Sequence, residues 1–125
     1  YAQWRRPAGS TVIFDFGDFP MMFEVCDIDQ NRYEEGIVIY FAKGKLTIDL
    51  PPAFLRNQPA QVELYKSHDA VESSVMRPMP DWTWAFKRED EAFVQDVENK
   101  SESISSGADC LNDMRLIDEV WRHLV

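Results

Sequence analysis

Apolar and polar residues alternate with a period of two along most of the chain before Pro78. This alternation predicts β-strands, because successive side chains of a strand point to opposite faces of a sheet. The predicted strands cover residues 11–16, 21–28, 37–41, 46–50, 60–65 and 71–76. Pro51 and Pro52 end the fourth of them, because proline cannot donate a hydrogen bond to a neighbouring strand.

The strands at 37–41 and 46–50 predict a hairpin. Lys43 and Gly44 lie between them, so we expect a tight turn in which Gly44 takes a positive φ. One face of the hairpin is apolar, and we expect helices to cover it; it carries Ile37, Ile39, Phe41, Leu46, Ile48 and Leu50.

The opposite face of the same sheet is only half apolar. It carries Val38, Tyr40 and Thr47, and the strand at 60–65 adds Tyr65. Such a face is either solvated surface or an interface with another copy or another domain. We predict the interface, and Val38, Tyr40, Thr47 and Tyr65 are its candidate residues.

From Trp82 onwards, the spacing of the apolar residues changes from that of a strand to that of a helix. One helix is predicted over 82–97. A second follows Ser106, where a serine with Asp109 three residues later is a capping-box pattern. Strands that precede helices predict the α+β class. We expect a mostly antiparallel open sheet of about five to six strands, with one face covered by the C-terminal helices, in a single domain over 1–125.

The composition narrows the classes of function. The 125 residues are 45% apolar and carry a formal net charge of -9. A negative chain repels nucleic-acid phosphates and anionic membrane surfaces, so neither partner is expected. The two cysteines, Cys26 and Cys110, are more typical of a reduced pair than of a bridge. No apolar run approaches the ~18 residues of a membrane span and no signal peptide is visible, so we expect a cytoplasmic protein.

The sequence organises no catalytic, cofactor-binding or metal site. Neither His68 nor His123 stands at metal-ligand spacing, and the adjacent acidic residues are typical of a solvated face. The chain contains neither a dinucleotide-binding glycine pattern nor a hydrolase nucleophile pattern. We interpret Trp82, Trp84 and Trp121 as core anchors. Residues 56–57 are interpreted as a surface turn.

Three blocks of the sequence resemble the C-terminal domain of the Gfo/Idh/MocA family of NAD(P)-dependent oxidoreductases. The first, residues 32–46, reads RYEEGIVIYFAKGKL and is similar to a hairpin of that family. The second, residues 50–62, reads LPPAFLRNQPAQV and looks like a proline-rich bridge. The third runs from Phe86 to Trp121 and includes Glu89, Phe93, Ser106-Gly107-Ala108-Asp109 and Ile117. The resemblance covers nearly all of the chain after residue 11, and the three blocks follow in the order found in the family.

The resemblance implies a parent enzyme that uses NAD or NADP to oxidise or reduce a sugar, polyol or similar hydroxy compound. The family's N-terminal Rossmann domain, catalytic Glu-Lys-Pro lysine and second-domain histidine have no counterpart in this sequence. We therefore expect the chain, which begins at Tyr1, to be a C-terminal fragment that is inactive alone. It would wall the substrate pocket and form a homo-oligomer through its sheet face. The alternative is a stand-alone module that binds a protein partner through an open sheet face.

Overall fold

The computed structural model of the chain describes residues 3–6, 9–26 and 33–124. These residues form seven strands followed by two helices. The elements are β1 (Gln3–Arg6), β2 (Gly9–Asp15), β3 (Pro20–Cys26), β4 (Glu35–Phe41), β5 (Gly44–Leu50), β6 (Gln61–Ser67), β7 (Ser73–Met76), α1 (Ala85–Asn99) and α2 (Gly107–Leu124). The polar loop expected at 27–32 lies outside the described residues.

The strands form two open antiparallel sheets, so the predicted α+β class is confirmed. One sheet has the order β1-β2-β3 and the other has the order β4-β5-β6-β7. The expectation of one sheet with about five to six strands is thus corrected to two sheets, of three and four strands. The chain divides into two compact units, Tyr1–Asn31 with Glu102–Val125, and Arg32–Ser101. The single domain over 1–125 stays a prediction.

In the first unit, β2 is the central strand of the three-stranded sheet. Val12 lies at the middle of β2 opposite Phe23 of β3 and is 7% exposed, which makes it the one buried hydrophobic side chain among the described residues. The β2–β3 turn is closed by the Gly17 amide, which donates to Asp15 Oδ1 at 2.8 Å. Gly17 has φ of 84°, a conformation that glycine adopts without steric cost. A tight turn therefore connects β2 and β3.

In the second unit, the hairpin turn differs from the sequence expectation. The turn residues are Ala42 and Lys43, whereas Gly44 is already the first residue of β5 and lies between Phe41 and Lys66. Gly44 does not have a positive φ. It is required for a different reason: a Cβ atom there would lie 2.5 Å from the backbone oxygen of Tyr65 on β6. Gly44 is therefore needed because it lets β5 and β6 approach closely, and not because of the geometry of the turn.

The start of α1 is held against the bridge that follows β5. Trp84 Nε1 donates to the backbone oxygen of Ala53 at 2.9 Å, and the Arg56 guanidinium lies 4.8 Å from the Trp84 ring centroid. Phe54 and Phe86 add a tilted ring contact at 6.1 Å. Three interactions of different kinds thus join the proline-rich bridge to the beginning of the helix.

The interpretation of the tryptophans as core anchors is wrong for two of the three. Trp82 is 66% exposed and Trp121 is 60% exposed, whereas Trp84 is half-buried. Trp82 precedes α1 in the chain and Trp121 lies on α2, and both side chains are exposed. Periodicity predicts which side chains share a face and leaves open what covers that face.

The cap predicted for the second helix is confirmed. Ser106 Oγ accepts a hydrogen bond from the Asp109 amide at 3.2 Å, and the Ser106 carbonyl accepts from the Cys110 amide at 2.9 Å. The Asp109 carboxylate lies in the first turn, where the helix dipole favours a negative charge. The end of α2 carries Arg122 and His123, which have the sign that the dipole favours there.

We predict that Gly44→Ala destabilises the second unit by about 1–3 kcal/mol, because the added Cβ forces β5 away from β6. The measurement is the free energy of opening from hydrogen exchange of the β5 and β6 amides. Gly107→Ala is the matched control, since a Cβ at residue 107 meets no atom within 4 Å. Equal protection in Gly44→Ala and in the unmodified chain would contradict the close-approach role of Gly44.

Candidate functional site

The strand register sorts the side chains of the four-stranded sheet onto two faces, because directly paired residues lie on the same side. We call one side the apolar face; it carries Ile37, Ile39, Phe41, Leu46, Ile48, Leu50, Val62, Leu64 and Met76. We call the other side the mixed face; it carries Val38, Tyr40, Lys45, Thr47, Asp49, Glu63, Tyr65 and Val75. The two faces differ in polarity and present different kinds of surface to a partner.

The four predicted interface residues all lie on the mixed face. Val38 is paired directly with Thr47, and Lys45 lies between Tyr40 and Tyr65. Tyr40 is 77% exposed, Val38 is 48% exposed and Tyr65 is 39% exposed, whereas Thr47 is half-buried. The register therefore brings the four residues into one patch over β4, β5 and β6. Their role as an oligomer interface stays a prediction.

Charged groups lie within and beside this patch on the mixed face. Lys45, between Tyr40 and Tyr65, has its Nζ 6.0 Å from the centroid of the Tyr40 ring, which is the outer limit of a cation–π contact. Arg77, just beyond β7, pairs with Glu63 at 2.8 Å. Aromatic and charged side chains therefore alternate across this face.

The apolar face is more exposed than the sequence led us to expect. Ile37 is 48% exposed, Ile39 is 41% exposed and Phe41 is 56% exposed, although we expected helices to cover this face. Met76 on β7 extends it and is 53% exposed. The alternation in the sequence identified these residues but does not show what covers them. The sequence feature that identifies the apolar face is the presence of apolar residues at every second position of the strands.

The loop between β6 and β7 is organised around Asp69. Its Oδ1 accepts hydrogen bonds from the amides of Val71 and Glu72, each at 2.7 Å. These bonds lower the pKa of Asp69, because they favour the charged carboxylate. The bond from Glu72 has the larger effect and the bond from Val71 the second largest. The neighbouring His68 is held by a contact of 2.9 Å between Nε2 and Ser74 Oγ. The connection between β6 and β7 is thus a structured loop with a fixed carboxylate.

Tyr33 and Glu35 form a second local pair. Glu35 is the first residue of β4, and Tyr33 lies two residues before it. The Tyr33 hydroxyl donates to Glu35 Oε2, and this hydrogen bond is the main reason why the pKa of Tyr33 is raised. The bond stabilises the neutral phenol beside the carboxylate. It belongs to the end of the sheet and is separate from the interface patch.

The remaining titratable and nucleophilic groups are dispersed. Among the described residues, no group of three or more His, Cys, Asp or Glu side chains is placed to hold a metal ion. Cys26 and Cys110 are free and exposed. His123 contacts the Glu119 carbonyl oxygen within α2, at 2.8 Å from Nδ1. No helix in the described part of the chain is long and apolar enough to cross a membrane.

Comparison of the chain with protein-family models, curated proteins and solved structures finds no match to any of the three. The resemblance of the three sequence blocks therefore stands on the residues themselves. The candidate site that the geometry offers is the four-stranded sheet, with exposed apolar side chains on both faces.

We predict that Asp69 stabilises the β6–β7 loop in a pH-dependent way. Because the folded-state pKa of Asp69 is lowered from 3.8, its contribution is fully present above the pKa of the unfolded chain. The contribution is lost as the pH falls through the folded-state pKa. An NMR titration of the Asp69 carboxyl measures this pKa, and a value at or above 3.8 would contradict the prediction.

Asp69→Asn is the matched control for this titration. The amide oxygen of asparagine accepts the same two backbone hydrogen bonds but does not ionise in this range. We expect the loop amides of this variant to keep their protection, with a weaker dependence on acid pH than in the unmodified chain.

Proposed function

We propose that the chain is the distal part of the second domain of an NAD(P)-dependent oxidoreductase of the Gfo/Idh/MocA family. In this role it supplies sheet, helices and oligomer contacts and does not supply the reacting groups. The observation that carries the proposal is the open four-stranded sheet, which begins with the first resembling block and leaves apolar residues exposed on both faces.

The element boundaries support the resemblance. The described part of the first block contains β4, the turn at Ala42 and Lys43 and the first three residues of β5. The second block contains the bridge whose Ala53 carbonyl accepts from Trp84. The third block contains most of α1, the Ser106 cap and most of α2. Each block thus includes at least one defined feature of the fold, a hairpin turn, a bridge or a capped helix, which supports a structural basis for the similarity.

The exposure of the sheet supports a scaffold role. Contiguous apolar patches on a protein surface mark sites of interaction, and unpaired strand edges add to them. β4 is an edge strand of seven residues, and its side chains from Ile37 to Phe41 are all exposed. A sheet of this kind is suited to forming one wall of a larger structure and to pairing with another subunit.

The chemistry of the parent enzyme would reside in residues that this sequence does not contain. The enzyme would transfer hydride between a nicotinamide and a hydroxyl or carbonyl carbon of a sugar, polyol or similar compound. The cofactor performs that step, and the protein binds and orients it. The resembling part of the family walls the substrate pocket, so the contribution proposed for this chain is shape and assembly.

A stand-alone interaction module is the second candidate. The exposed mixed face, with Tyr40 at 77%, favours it equally, because a partner protein could cover the same residues. The coding sequence distinguishes the two candidates. A reading frame that continues upstream of Tyr1 into a strand, a GxGxxG segment and a helix supports the oxidoreductase. A start codon immediately before Tyr1 supports the module.

We predict that the purified 125-residue chain does not bind NAD or NADP tightly and has no dehydrogenase activity. We expect this because the family's dinucleotide-binding glycine pattern has no counterpart in the sequence. Fluorescence titration with NADH and NADPH measures binding, and a dehydrogenase assay with polyols measures turnover. Tight binding or turnover by the chain alone would contradict the scaffold role.

We predict that the chain self-associates through the mixed face and that Val38→Lys with Tyr40→Lys weakens association at least tenfold, about 1.4 kcal/mol. Two buried like charges on each copy oppose docking of that face. Sedimentation equilibrium measures the dissociation constant. The control is Ile104→Lys, at a residue that is 101% exposed in the loop before α2.

An unmodified chain that remains monomeric at all concentrations would contradict this prediction. So would equal weakening by the mixed-face variant and the Ile104 control. Far-ultraviolet circular dichroism establishes that each variant keeps its secondary structure.

A further inference from the structure

A concave site lies at one end of the four-stranded sheet, next to the β4–β5 turn. It has a volume of about 390 Å³ and is open to solvent; it is lined by Phe41, Lys43, Gly44, Leu64, Tyr65, Lys66, Ser67 and His68. All these residues come from the second unit. The volume is at the lower end of the range for small-molecule sites, about 300–1,000 Å³.

The charges of this cavity are opposite to that of the chain. The formal net charge is -9, yet the lining contains no acidic residue, and the lining residues that can carry a positive charge are Lys43, Lys66 and His68. Within the described residues, neither lysine forms an ion pair. A cleft lined by one sign of charge focuses the field and raises the local concentration of counter-ions.

The acidic residues on either side of this strand segment already have other partners. Glu63 pairs with Arg77 at 2.8 Å. The Asp69 carboxylate accepts from the amides of Val71 and Glu72. Neither carboxylate forms an ion pair with Lys43 or Lys66, so the ammonium groups of the two lysines remain available to an external anion.

The backbone around the cavity is held in place. The Ser67 amide donates to the Lys43 carbonyl at 2.9 Å, which ties the end of β6 to the hairpin turn. The His68 amide donates to the Glu72 carbonyl at 2.9 Å, and Ser67 Oγ donates to the Asp69 carbonyl at 3.0 Å. The two lysines thus project from backbone segments that are joined directly.

We propose that this cavity binds a small phosphate monoester, with the phosphate between Lys43 and Lys66 and the organic part against Phe41 and Leu64. Lysine is a common phosphate ligand because its ammonium is a compact charge with three donors. The apolar lining favours an organic group over free phosphate. The proposal is independent of the proposed function, because it uses neither the mixed-face interface nor a nicotinamide.

The test is an NMR titration of the 125-residue chain with phenyl phosphate, inorganic phosphate and phenol at low ionic strength. Phenyl phosphate combines the charge and the apolar group, so we expect it to bind more tightly than either of the other probes. Its shifts should be centred on the amides of Lys43, Gly44, Ser67 and His68. Near 1 M salt, where the Debye length is about 3 Å, binding should weaken strongly.

The variant is Lys43→Gln with Lys66→Gln, for which we expect at least tenfold weaker binding of phenyl phosphate. The matched control is Lys87→Gln with Arg88→Gln, which also removes two positive charges, in this case from α1 of the same unit. The proposal is overturned if both double variants weaken binding equally, if phenol binds as well as phenyl phosphate, or if the unmodified chain shows no localised shifts. Failure here leaves the NADH titration and the reading-frame test unaffected.

Discussion

The register of the four-stranded sheet is the constraint on which the rest of the second unit depends. The pairing of Val38 with Thr47, and of Lys45 with Tyr65, decides which side chains share a face. A slip of one residue would exchange the apolar and mixed faces completely. Gly44 contributes to this register because it allows β5 to approach the Tyr65 carbonyl of β6. The same pairing brings Lys43 and Lys66 to one end of the sheet, so interface patch and basic cavity have one structural origin.

Neither unit buries much of its apolar surface within itself. Val12 is the one buried hydrophobic residue in the described part of the chain, and large apolar side chains such as Phe54, at 84%, are exposed. Burial of apolar area is the main favourable term in folding and association. The contacts that hold each unit are therefore mainly backbone ladders and local pairs such as Trp84 with Ala53.

Much of the secondary structure was predictable from the sequence, because alternation and capping are local. The strands from β2 to β7 and the Ser106 cap follow from period and residue type. β1 was not predicted, because Gln3–Arg6 contains only one apolar residue and shows no alternation. The exposure of Trp121 and of Ile39 was not predictable either, since a period does not identify the covering surface. The cavity required the register, which joins residues distant in sequence.

The distribution of charge is compatible with the self-association that we propose for an acidic chain. Strands β4 to β7 carry three acidic and two basic residues, so this sheet is nearly neutral. Helices α1 and α2 carry nine acidic and four basic residues and hold a larger part of the negative charge. Repulsion between exposed charges is screened within about 8 Å at physiological ionic strength. Two copies that meet through the neutral mixed face would bring few like charges into contact, and the acidic helices would still oppose association through other surfaces.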